Sequence, residues 1–570
     1  MSKTYREIYE AWTKDKSFDE AFRRELLGLT DEAEIEDRFY KDLSFGTAGM
    51  RGVIGAGRNR MNKYIVQKAS QGYANYLLSK SPSATCVIAY DNRRMSVEFS
   101  QEAARVFAAN GIKTFLFEGL RTTPELSFAI RELETTGGVV ITASHNPPEY
   151  NGYKVYGPDG AQLIPIEADA VTHAVDAVTD FSSVKLMDFV AAEEAGLIVS
   201  LGEAMDRAFL SAVKRQIRKP EAYKVPMTIT FSPLHGTGGM IVEKLMMDLG
   251  VSDVHFVPDQ MVVDTEFSTC QKPNPEELQA FDVSKAYGQS IGADLLVATD
   301  PDADRVGVVV KDRLGEYVPL NGNQVGALLT YYLLNAGPVP KDGMIVKTVV
   351  TSDLGPKIAA SFGVGVAETL TGFKFIGEKI RGFETSGKGS YILGYEESYG
   401  YLIGTHARDK DAVVATMLVI EMAKFYHGQG KNLLEVLEEI YQQFGFFKEH
   451  MISKTLAGKQ GMAMIGEIMA LLRNQAKELF SDFSLVRAQD YETGIETNLL
   501  SGEVKTLDYP ASDVLKYYMA DGSWFAVRPS GTEPKIKFYC SVQAPTATEA
   551  HGTIASLERA IGGVFPGSAK

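Results

Sequence analysis

The stretch CVIAYDNRRMSVEFSQEAARVFAANGIKTFLF, residues 86–117, sets the pattern of the fold. It joins a short apolar strand, CVIAY, to a helical segment that ends at Gly111 and then to a second strand, TFLF. Residues 123–133 predict a further helix that Thr123 caps, and the strand GGVVIT follows it. This alternation is typical of a mostly parallel sheet covered by helices on both faces.

Two later parts of the chain repeat the alternation, and residues 193–218 are predicted to form a helical stretch between the first part and the second. The end of the chain differs, because two strands surround a glycine turn there and a helix follows. The predicted fold class is α/β, with three doubly wound mixed-sheet α/β domains and a smaller C-terminal α+β domain around a central cleft. The predicted domains span residues 1–205, 206–318, 319–450 and 451–570.

The composition is that of a folded globular protein, with 45% hydrophobic and 23% charged residues. Lysine and arginine number 58 against 73 aspartates and glutamates, so the net charge is −15. Such a charge repels nucleic acid and anionic membranes, and we expect neither as a partner. The charged start of the chain lacks the apolar core of a signal peptide, and no apolar run reaches the ~18 residues of a membrane span.

The three cysteines, Cys86, Cys270 and Cys540, lie far apart in the sequence. This spacing excludes a CxxC metal site and a disulfide framework, and it favours a reducing, cytoplasmic location. If a chain of this net charge binds phosphate, it must do so with a few placed cations rather than with a basic surface.

Ser144 and His145 lie in the segment TASHNPPEYNGYK, residues 142–154, directly after the strand GGVVIT. Ligands of α/β sheets bind at the carboxyl ends of strands, which makes this segment a candidate for chemistry. It lacks the GxSxG pattern of a hydrolase, and adjacent side chains of an extended loop are expected to point apart, so a Ser–His triad is not predicted. An exposed turn remains the alternative.

Three aspartates at alternate positions follow the strand ADLLVAT in the segment DPDADR, which runs from Asp300 to Arg305. A calcium loop would need glycine and glutamate where the chain has Arg305 and Lys311. Asp300, Asp302 and Asp304 are instead typical of a Mg²⁺ site that keeps positions open for phosphate oxygens. A solvated acidic turn is the alternative.

The segment GYEESYG, residues 394–400, carries Glu396, Glu397 and Ser398 after another strand. Carboxylates accept hydrogen bonds from sugar hydroxyls, and a serine hydroxyl both donates and accepts. The segment therefore indicates either sugar recognition or general acid–base work. A helix N-terminus with acidic residues in its first turn is the alternative.

The segment RPSGTEPK, residues 528–535, combines the arginine fork of Arg528 with Ser530, Gly531 and Thr532 in a tight turn. Turn amides and hydroxyls bind phosphate without bulk positive charge, and an arginine beside them strengthens the interpretation. A simple hairpin turn is the alternative.

Two further segments are weaker candidates for a functional site. FGTAGMRG, residues 45–52, lacks the Lys-Ser/Thr of a phosphate-binding P-loop, yet its Arg51 could face a phosphate. RDKDA, residues 408–412, places Lys410 among aspartates at a helix start, where ordinary capping is the alternative.

The four main segments, in this order and one in each predicted domain, resemble the α-D-phosphohexomutases, and most closely their phosphoglucomutase branch. The resemblance covers nearly the whole chain, from FGTAGMRG to RPSGTEPKIKFY. It implies interconversion of α-D-glucose 1-phosphate and glucose 6-phosphate through a phosphoserine enzyme. Glucose 1,6-bisphosphate would be the intermediate and activator.

The resemblance also implies a role for each segment. Ser144 would carry the phosphate, and one Mg²⁺ per chain would bind a phosphoserine oxygen together with Asp300, Asp302 and Asp304. Lys154 and Lys410 match the general acid and base of relatives, and a lysine pKa in a closed cationic site is expected to fall toward neutrality. The implied catalytic residues are Ser144, Lys154, Lys410, Arg51 and His145, and the implied substrate-binding residues are Glu396, Ser398, Arg305, Arg528, Ser530, Gly531 and Thr532.

Several alternatives remain open at this level. Lys537 stands where an arginine is common in the family, which leaves the sugar preference open between glucose, mannose and pentose. A non-catalytic sugar-phosphate sensor would lack Ser144 or a metal aspartate, and the chain retains them. A phosphatase would need water at the phosphoserine, which a closing cleft excludes. We expect a small sugar phosphate as partner and a monomer or homodimer as assembly.

Overall fold

The computed structural model describes residues 4–46, 49–456, 459–530 and 534–565. Within them the chain forms four successive sheets, three of mixed strand direction and a fourth that is antiparallel throughout. The predicted α/β fold class is confirmed. No described helix combines the length and the apolarity that crossing a membrane requires.

The first sheet has six strands in the order β1-β5-β4-β2-β3-β6, with β5 antiparallel to both of its neighbours and the other neighbouring pairs parallel. Its strands are β1 (Met50–Val53), β2 (Thr85–Tyr90), β3 (Lys113–Phe117), β4 (Gly137–Ile141), β5 (Tyr150–Tyr156) and β6 (Ile198–Leu201). The helices of this part are α1 (Tyr5–Lys14), α2 (Glu20–Leu27), α3 (Glu32–Phe39), α4 (Lys63–Lys80), α5 (Ser96–Ala109), α6 (Thr123–Glu132), α7 (Pro165–Asp176), α8 (Phe189–Glu194) and α9 (Glu203–Lys214).

The second and third sheets are also mixed, with orders β11-β10-β9-β7-β8 and β13-β12-β14-β15. The second part contains β7 (Ile229–Ser232), α10 (Gly238–Asp248), β8 (Val254–Phe256), α11 (Pro258–Met261), α12 (Asp282–Ile291), β9 (Leu295–Thr299), β10 (Val306–Lys311) and β11 (Tyr317–Leu320). The third part contains α13 (Gly322–Ala336), β12 (Gly343–Thr348), α14 (Leu354–Ser361), β13 (Gly365–Thr369), α15 (Phe373–Ser386), β14 (Ser390–Glu396), β15 (Gly400–Ile403), α16 (Ala412–His427) and α17 (Leu433–Phe444).

The fourth sheet has seven strands in the order β16-β22-β21-β20-β17-β18-β19. Its elements are β16 (Phe446–Thr455), α18 (Lys459–Leu479), β17 (Leu485–Asp490), β18 (Ile495–Asn498), β19 (Val504–Thr506), β20 (Leu515–Met519), β21 (Trp524–Pro529), β22 (Lys535–Ala544) and α19 (Ala547–Val564). Strand β16 crosses position 450 and pairs with β22, so the predicted boundary there falls inside a strand of this sheet. The division into four domains at the predicted positions stays a prediction.

Helix α16 links the third part to the second. It is buried along almost its whole length, as expected for a helix without a polar face. It contacts β9, β10, α10 and α13. Asp411 caps its N-terminus by accepting hydrogen bonds from the amides of Val413 (2.8 Å) and Val414 (3.0 Å). The preceding residue, Lys410, is thereby held next to the loop that follows β9.

Two local predictions are wrong. Thr122, not Thr123, caps α6, because Thr122 has the extended backbone of a cap and forms a capping box with Glu125. The stretch 193–218 is not continuously helical, because the apolar run of β6 interrupts it and adds an edge strand to the first sheet.

Candidate active site

Ser144 lies in a tight turn after β4 and is buried. Its backbone is left-handed, with φ 54°, and only 3% of the residue is exposed. The amide donates to Thr142 Oγ1 at 2.8 Å, and Oγ donates to Asp300 Oδ2 at 2.8 Å. The exposed-turn alternative is therefore wrong, since the serine hydroxyl faces the aspartate loop of the second sheet.

His145 lies closer to the serine than the sequence predicts. Its Nδ1 is 3.1 Å from Ser144 Oγ, because the left-handed backbone turns the two adjacent side chains toward each other. The expectation that they point apart is wrong. Burial, together with the positive charges of Arg305 and Arg51, lowers the pKa of His145 well below its ordinary value. A neutral imidazole thus lies beside the hydroxyl.

Asp300, Asp302 and Asp304 form a compact buried cluster directly after β9. Carboxylate oxygens of the three residues lie within 4.8 Å of one another. Ala303 between them is left-handed, with φ 52°, which bends the backbone so that alternate side chains converge. The three residues are at most 1% exposed, so a solvated acidic turn is excluded.

The oxygen set of this cluster fits a divalent cation. One oxygen each of Asp302 and Asp304 is buried and accepts no hydrogen bond from any described residue. Such oxygens are costly to bury unless a cation binds them, and carboxylate ligands suit Mg²⁺. Burial and the negative charges of the two neighbouring aspartates raise the pKa of Asp300 well above its ordinary value. A bound cation would relieve this repulsion.

Two buried lysines approach the same cluster from different domains. Lys154 on β5 places Nζ 2.8 Å from Asp302 Oδ2. Lys410 places Nζ 3.0 Å from Asp304 Oδ2 and 3.1 Å from Asp409 Oδ1. The capping proposed as the alternative for this segment does occur, through Asp411, while Lys410 points to the cluster.

The expectation of a lowered lysine pKa is wrong for Lys410. Burial lowers its pKa, but the negative charges of Asp304, Asp409 and Glu396 outweigh burial and hold the pKa above its ordinary value. The groups that face Lys410 are mainly carboxylates rather than cations, which reverses the sign of the effect.

Glu396 ends β14 and is 5% exposed. Its Oε1 accepts a hydrogen bond from the amide of Gly372 at 2.9 Å. Burial raises its pKa to about 7, although the ammonium of Lys410 pulls the value down. A carboxyl group with this pKa changes its charge near neutral pH.

The segment after Glu396 is a hairpin turn, residues 397–399, between β14 and β15, so the helix alternative is wrong. Ser398 lies half-buried in this turn. Glu397 accepts hydrogen bonds from the hydroxyls of Thr348 (3.3 Å) and Thr351 (3.2 Å), which gives it a structural role. Glu396 and Ser398 remain the two candidates for sugar recognition.

Arg528 lies at the end of β21, opposite Lys537 on β22. Lys374, in the first turn of α15, is close enough to Arg528 for the two charges to interact. Burial is the main cause that lowers the pKa of Lys374 to about 8, and the positive charge of Arg528 adds to it. Burial and the charge of Lys535 lower the pKa of Lys537 as well, against the opposing charge of Glu276. Lys374 of the third domain and Arg528 and Lys537 of the fourth therefore lie close enough to influence one another, as a cationic cluster in an acidic protein.

The turn beside Arg528 is described only in part. The amide of Ser530 donates to the carbonyl of Lys535 at 2.7 Å, as in a hairpin. Gly531 and Thr532 lie outside the described residues. Their predicted contribution to phosphate binding stays a prediction.

Arg51 and Arg305 both lie near the serine loop. Arg51 Nη1 donates to Asn146 Oδ1 at 2.7 Å. Arg305 forms an ion pair with Glu276 and places Nε 3.8 Å from Asp304 Oδ1. Both guanidinium groups are close enough to act electrostatically on His145.

Sequence reasoning missed three polar residues around the site. Thr123 donates its hydroxyl to Asp302 Oδ2 at 3.1 Å, and its amide donates to the Asp302 carbonyl at 2.9 Å. Arg93 contacts the serine loop, and Lys374 belongs to the cationic cluster with Arg528. All three follow the carboxyl end of a strand, β2 for Arg93, β3 for Thr123 and β13 for Lys374, and this position is the signal that could have found them.

Comparison with known proteins assigns most of the chain to the family that the sequence motifs resemble. Models of the phosphoglucomutase/phosphomannomutase family match its α/β/α domain I at residues 42–181, domain II at 207–315, domain III at 321–444 and the C-terminal domain at 473–553. A phosphoglucomutase of Staphylococcus epidermidis is 37% identical over 525 residues, which cover 92% of this chain and 95% of that protein.

Solved structures share the fold at lower identity. The open form of the Paramecium phosphoglucomutase parafusin aligns with a TM-score of 0.70 at 18% identity, over 92% of this chain and 95% of that one. A phosphoglucomutase/phosphomannomutase family protein from Burkholderia thailandensis aligns with a TM-score of 0.66 at 17% identity, over 91% of this chain and 98% of that one. With the four family domains matched in order and a close relative aligned over most of its length, the chain belongs to the phosphoglucomutase/phosphomannomutase family.

Proposed function

We propose that the chain is an intramolecular phosphotransferase that interconverts α-D-glucose 1-phosphate and glucose 6-phosphate through a phosphoserine at Ser144. One observation carries the proposal: the buried Ser144 hydroxyl lies 2.8 Å from Asp300, inside a cluster of three aspartates that two lysines flank. This arrangement supports phosphoryl transfer, because it combines a nucleophilic oxygen, an oxygen-rich cation site and two proton carriers.

In the forward direction the bond between phosphorus and Ser144 Oγ breaks as a bond to a sugar hydroxyl oxygen forms. The sugar hydroxyl must lose its proton, and Ser144 Oγ must gain one. Lys154 and Lys410 supply the two buried amino groups nearest the aspartate cluster, which supports their assignment as proton carriers. Lys410, held protonated by Asp304, Asp409 and Glu396, would donate the proton to Ser144 Oγ, and Lys154 in its neutral form would accept the proton of the sugar hydroxyl. Arg51 and Arg305 add positive charge around the transferred group.

The other end of the sugar phosphate needs separate contacts. Arg528 and Lys374, with the predicted contribution of Ser530, Gly531 and Thr532, would hold the phosphate that is not reacting. Glu396 and Ser398 would accept and donate hydrogen bonds to ring hydroxyls. Glucose 1,6-bisphosphate would then turn in the cleft and return its second phosphate to Ser144. The same contacts must serve both orientations of the bisphosphate.

A single Mg²⁺ would be held by Asp300, Asp302 and Asp304, with a phosphoserine oxygen as a further ligand. When bound, it would polarise the phosphoryl oxygens and offset the charge that builds up during transfer. The oxygens of Asp302 and Asp304 that accept no hydrogen bond from the described residues support this assignment. A cytoplasmic location and a monomeric or homodimeric state stay predictions from the sequence.

The test is a parallel assay of the purified chain on the 1-phosphates of glucose, mannose and ribose, with Mg²⁺ and a trace of glucose 1,6-bisphosphate. We expect the highest kcat/KM for glucose 1-phosphate, and no turnover by Ser144→Ala. A clear preference for mannose or ribose would reassign the substrate within the family. Binding of sugar phosphate without any turnover would favour a sensor and overturn the proposal.

A further inference from the structure

A loop of the second domain, residues 264–276, contacts the segment that follows β2 in the first domain. Asn92 Nδ2 donates to the carbonyl of Asp264 at 3.0 Å, and Arg94 Nε lies 3.2 Å from Glu266 Oε1. Between these contacts, the Arg93 guanidinium lies 5.0 Å from the centre of the Phe267 ring. The two segments are therefore docked through three consecutive residues of the first domain.

Arg93 in turn shapes the serine loop, residues 144–150. Its guanidinium is buried, and Nε lies 3.3 Å from Asp91 Oδ2. The four carbonyls that accept hydrogen bonds from its Nη atoms belong to Ser144 (2.6 Å), Asn146 (2.5 Å), Pro147 (2.8 Å) and Tyr150 (3.1 Å). Four convergent donors fix the path of a loop whose serine has a backbone conformation that is uncommon for this residue type.

The conformation and burial of Phe267 fix its ring next to Arg93. It is fully buried and left-handed, with φ 49°, a conformation that is strained for an aromatic residue. Asp264 stabilises this turn, since its carboxylate accepts hydrogen bonds from the amides of Glu266 (2.9 Å) and Ser268 (2.8 Å). The contacts of Asp264 thus keep Phe267 in its strained conformation, and this conformation places the Phe267 ring beside the Arg93 guanidinium.

The other end of the same loop holds a second arginine. Glu276 forms an ion pair with Arg305, whose amide donates to Asp300 Oδ1 at 2.9 Å. The pair is mostly buried, with side-chain exposures of 17% for Arg305 and 26% for Glu276. A partly buried ion pair of this kind restricts the guanidinium to one direction.

We propose that residues 264–276 form a positioning loop, in which Phe267 holds Arg93 against the serine loop and Glu276 orients Arg305 toward the transferred phosphoryl group. Phe267 and Glu276 touch no substrate in this account and act only through the two arginines. The catalytic part of the inference rests on the proposed function, whereas the ordering of the serine loop by Phe267 does not.

The experiment compares Phe267→Ala, Phe267→Leu, Glu276→Gln and Glu276→Asp with wild type. Amide hydrogen exchange of peptides that span residues 143–150 reports the order of the serine loop without any need for turnover. Steady-state kinetics with glucose 1-phosphate report kcat and KM separately. Glu277→Gln and Leu278→Ala are matched controls, since both residues are exposed and adjacent to the loop.

We expect Phe267→Ala to speed exchange in residues 143–150 at least about tenfold, and Phe267→Leu to do so less. Glu276→Gln should lower kcat about 10- to 100-fold with KM changed less than about twofold, as for other groups that orient a reacting residue. Glu276→Asp, which keeps the charge, should recover part of kcat. Both controls should match wild type.

Two results would overturn the inference. Unchanged exchange in Phe267→Ala would show that the loop does not order the serine segment. If the wild type is active and Glu276→Gln has the same kcat, Glu276 does not orient Arg305 for catalysis. An inactive wild type would contradict the proposed function and the role of Glu276 in it, while the exchange data would still decide the role of Phe267.

Discussion

Replacing Glu396 by glutamine should lower activity and raise stability at the same time. Glu396 is almost fully buried, and burial raises its pKa from an ordinary 4.5 to about 7. Glutamine keeps the size and retains an oxygen that can accept the hydrogen bond of the Gly372 amide. It removes only the charge that the carboxyl group acquires above neutral pH.

The size of the stability effect follows from the pKa shift. A shift from 4.5 to about 7 corresponds to about 3 kcal/mol of preference for the protonated form in the folded chain. Because the folded pKa is the higher one, this contribution is fully present below pH 4.5 and is lost as the pH rises through 7. Glu396→Gln should therefore match wild type near pH 4.5 and be up to about 3 kcal/mol more stable at pH 8.

The activity effect has the opposite sign. The carboxylate would accept hydrogen bonds from sugar hydroxyls on both of its oxygens, whereas the carboxylic acid and the glutamine amide each carry a donor at one of the two positions and no negative charge. With a pKa near 7, about a tenth of the enzyme is ionised at pH 6 and about nine-tenths at pH 8. Wild-type kcat/KM should thus rise about tenfold over this range, whereas Glu396→Gln should be low and nearly independent of pH.

Scanning calorimetry at pH 5 and pH 8, with kcat/KM measured from pH 5.5 to 8.5, tests both effects. Glu438→Gln on α17 is the control, because this glutamate of the same domain is exposed. A variant that is less stable than wild type at pH 8 would refute the burial argument. A variant that keeps the rise of kcat/KM with pH would show that another group controls the profile.

Three further predictions concern the metal, the phosphate pocket and the proton carriers. Excess chelator should abolish turnover and Mg²⁺ should restore it; full activity in chelator would mean that the aspartate cluster binds no essential cation. Arg528→Ala should weaken substrate binding by about 1.5–3 kcal/mol, seen as a KM raised about 10- to 150-fold, and should increase phosphoserine loss to water, whereas Arg559→Ala on α19 should change neither. Lys154→Met should lower kcat at least about 100-fold with the far-UV circular dichroism unchanged; a loss below tenfold would exclude Lys154 as acid or base.

The sequence predicted the parts of the site that follow strand ends within one stretch of chain. Ser144 follows β4 and the aspartates follow β9, because the carboxyl ends of strands are where α/β sheets bind ligands. The α/β class followed from the same alternation of strands and helices. These features are local in the sequence, so spacing and residue type were sufficient to find them.

The features that the sequence could not supply depend on contacts between distant residues. The Lys410 ammonium faces Asp304 and Asp409 only because α16 packs against the second sheet, and this reverses the expected direction of its pKa shift. The contact between Phe267 and Arg93 joins two domains and leaves no pattern in either segment. The cap of α6 was misplaced by one residue, because Thr122 and Thr123 are equally good caps by type and only the backbone decides between them.

Peptide mapping by mass spectrometry after incubation with glucose 1,6-bisphosphate and Mg²⁺ tests the central claim most directly. We predict a single phosphate on the peptide that contains Ser144. With excess glucose 6-phosphate this phosphate should be lost in proportion to the glucose 1,6-bisphosphate that forms. The variant Ser144→Ala should give no phosphopeptide. Phosphate on a different residue, or full mutase activity in Ser144→Ala, would contradict the account.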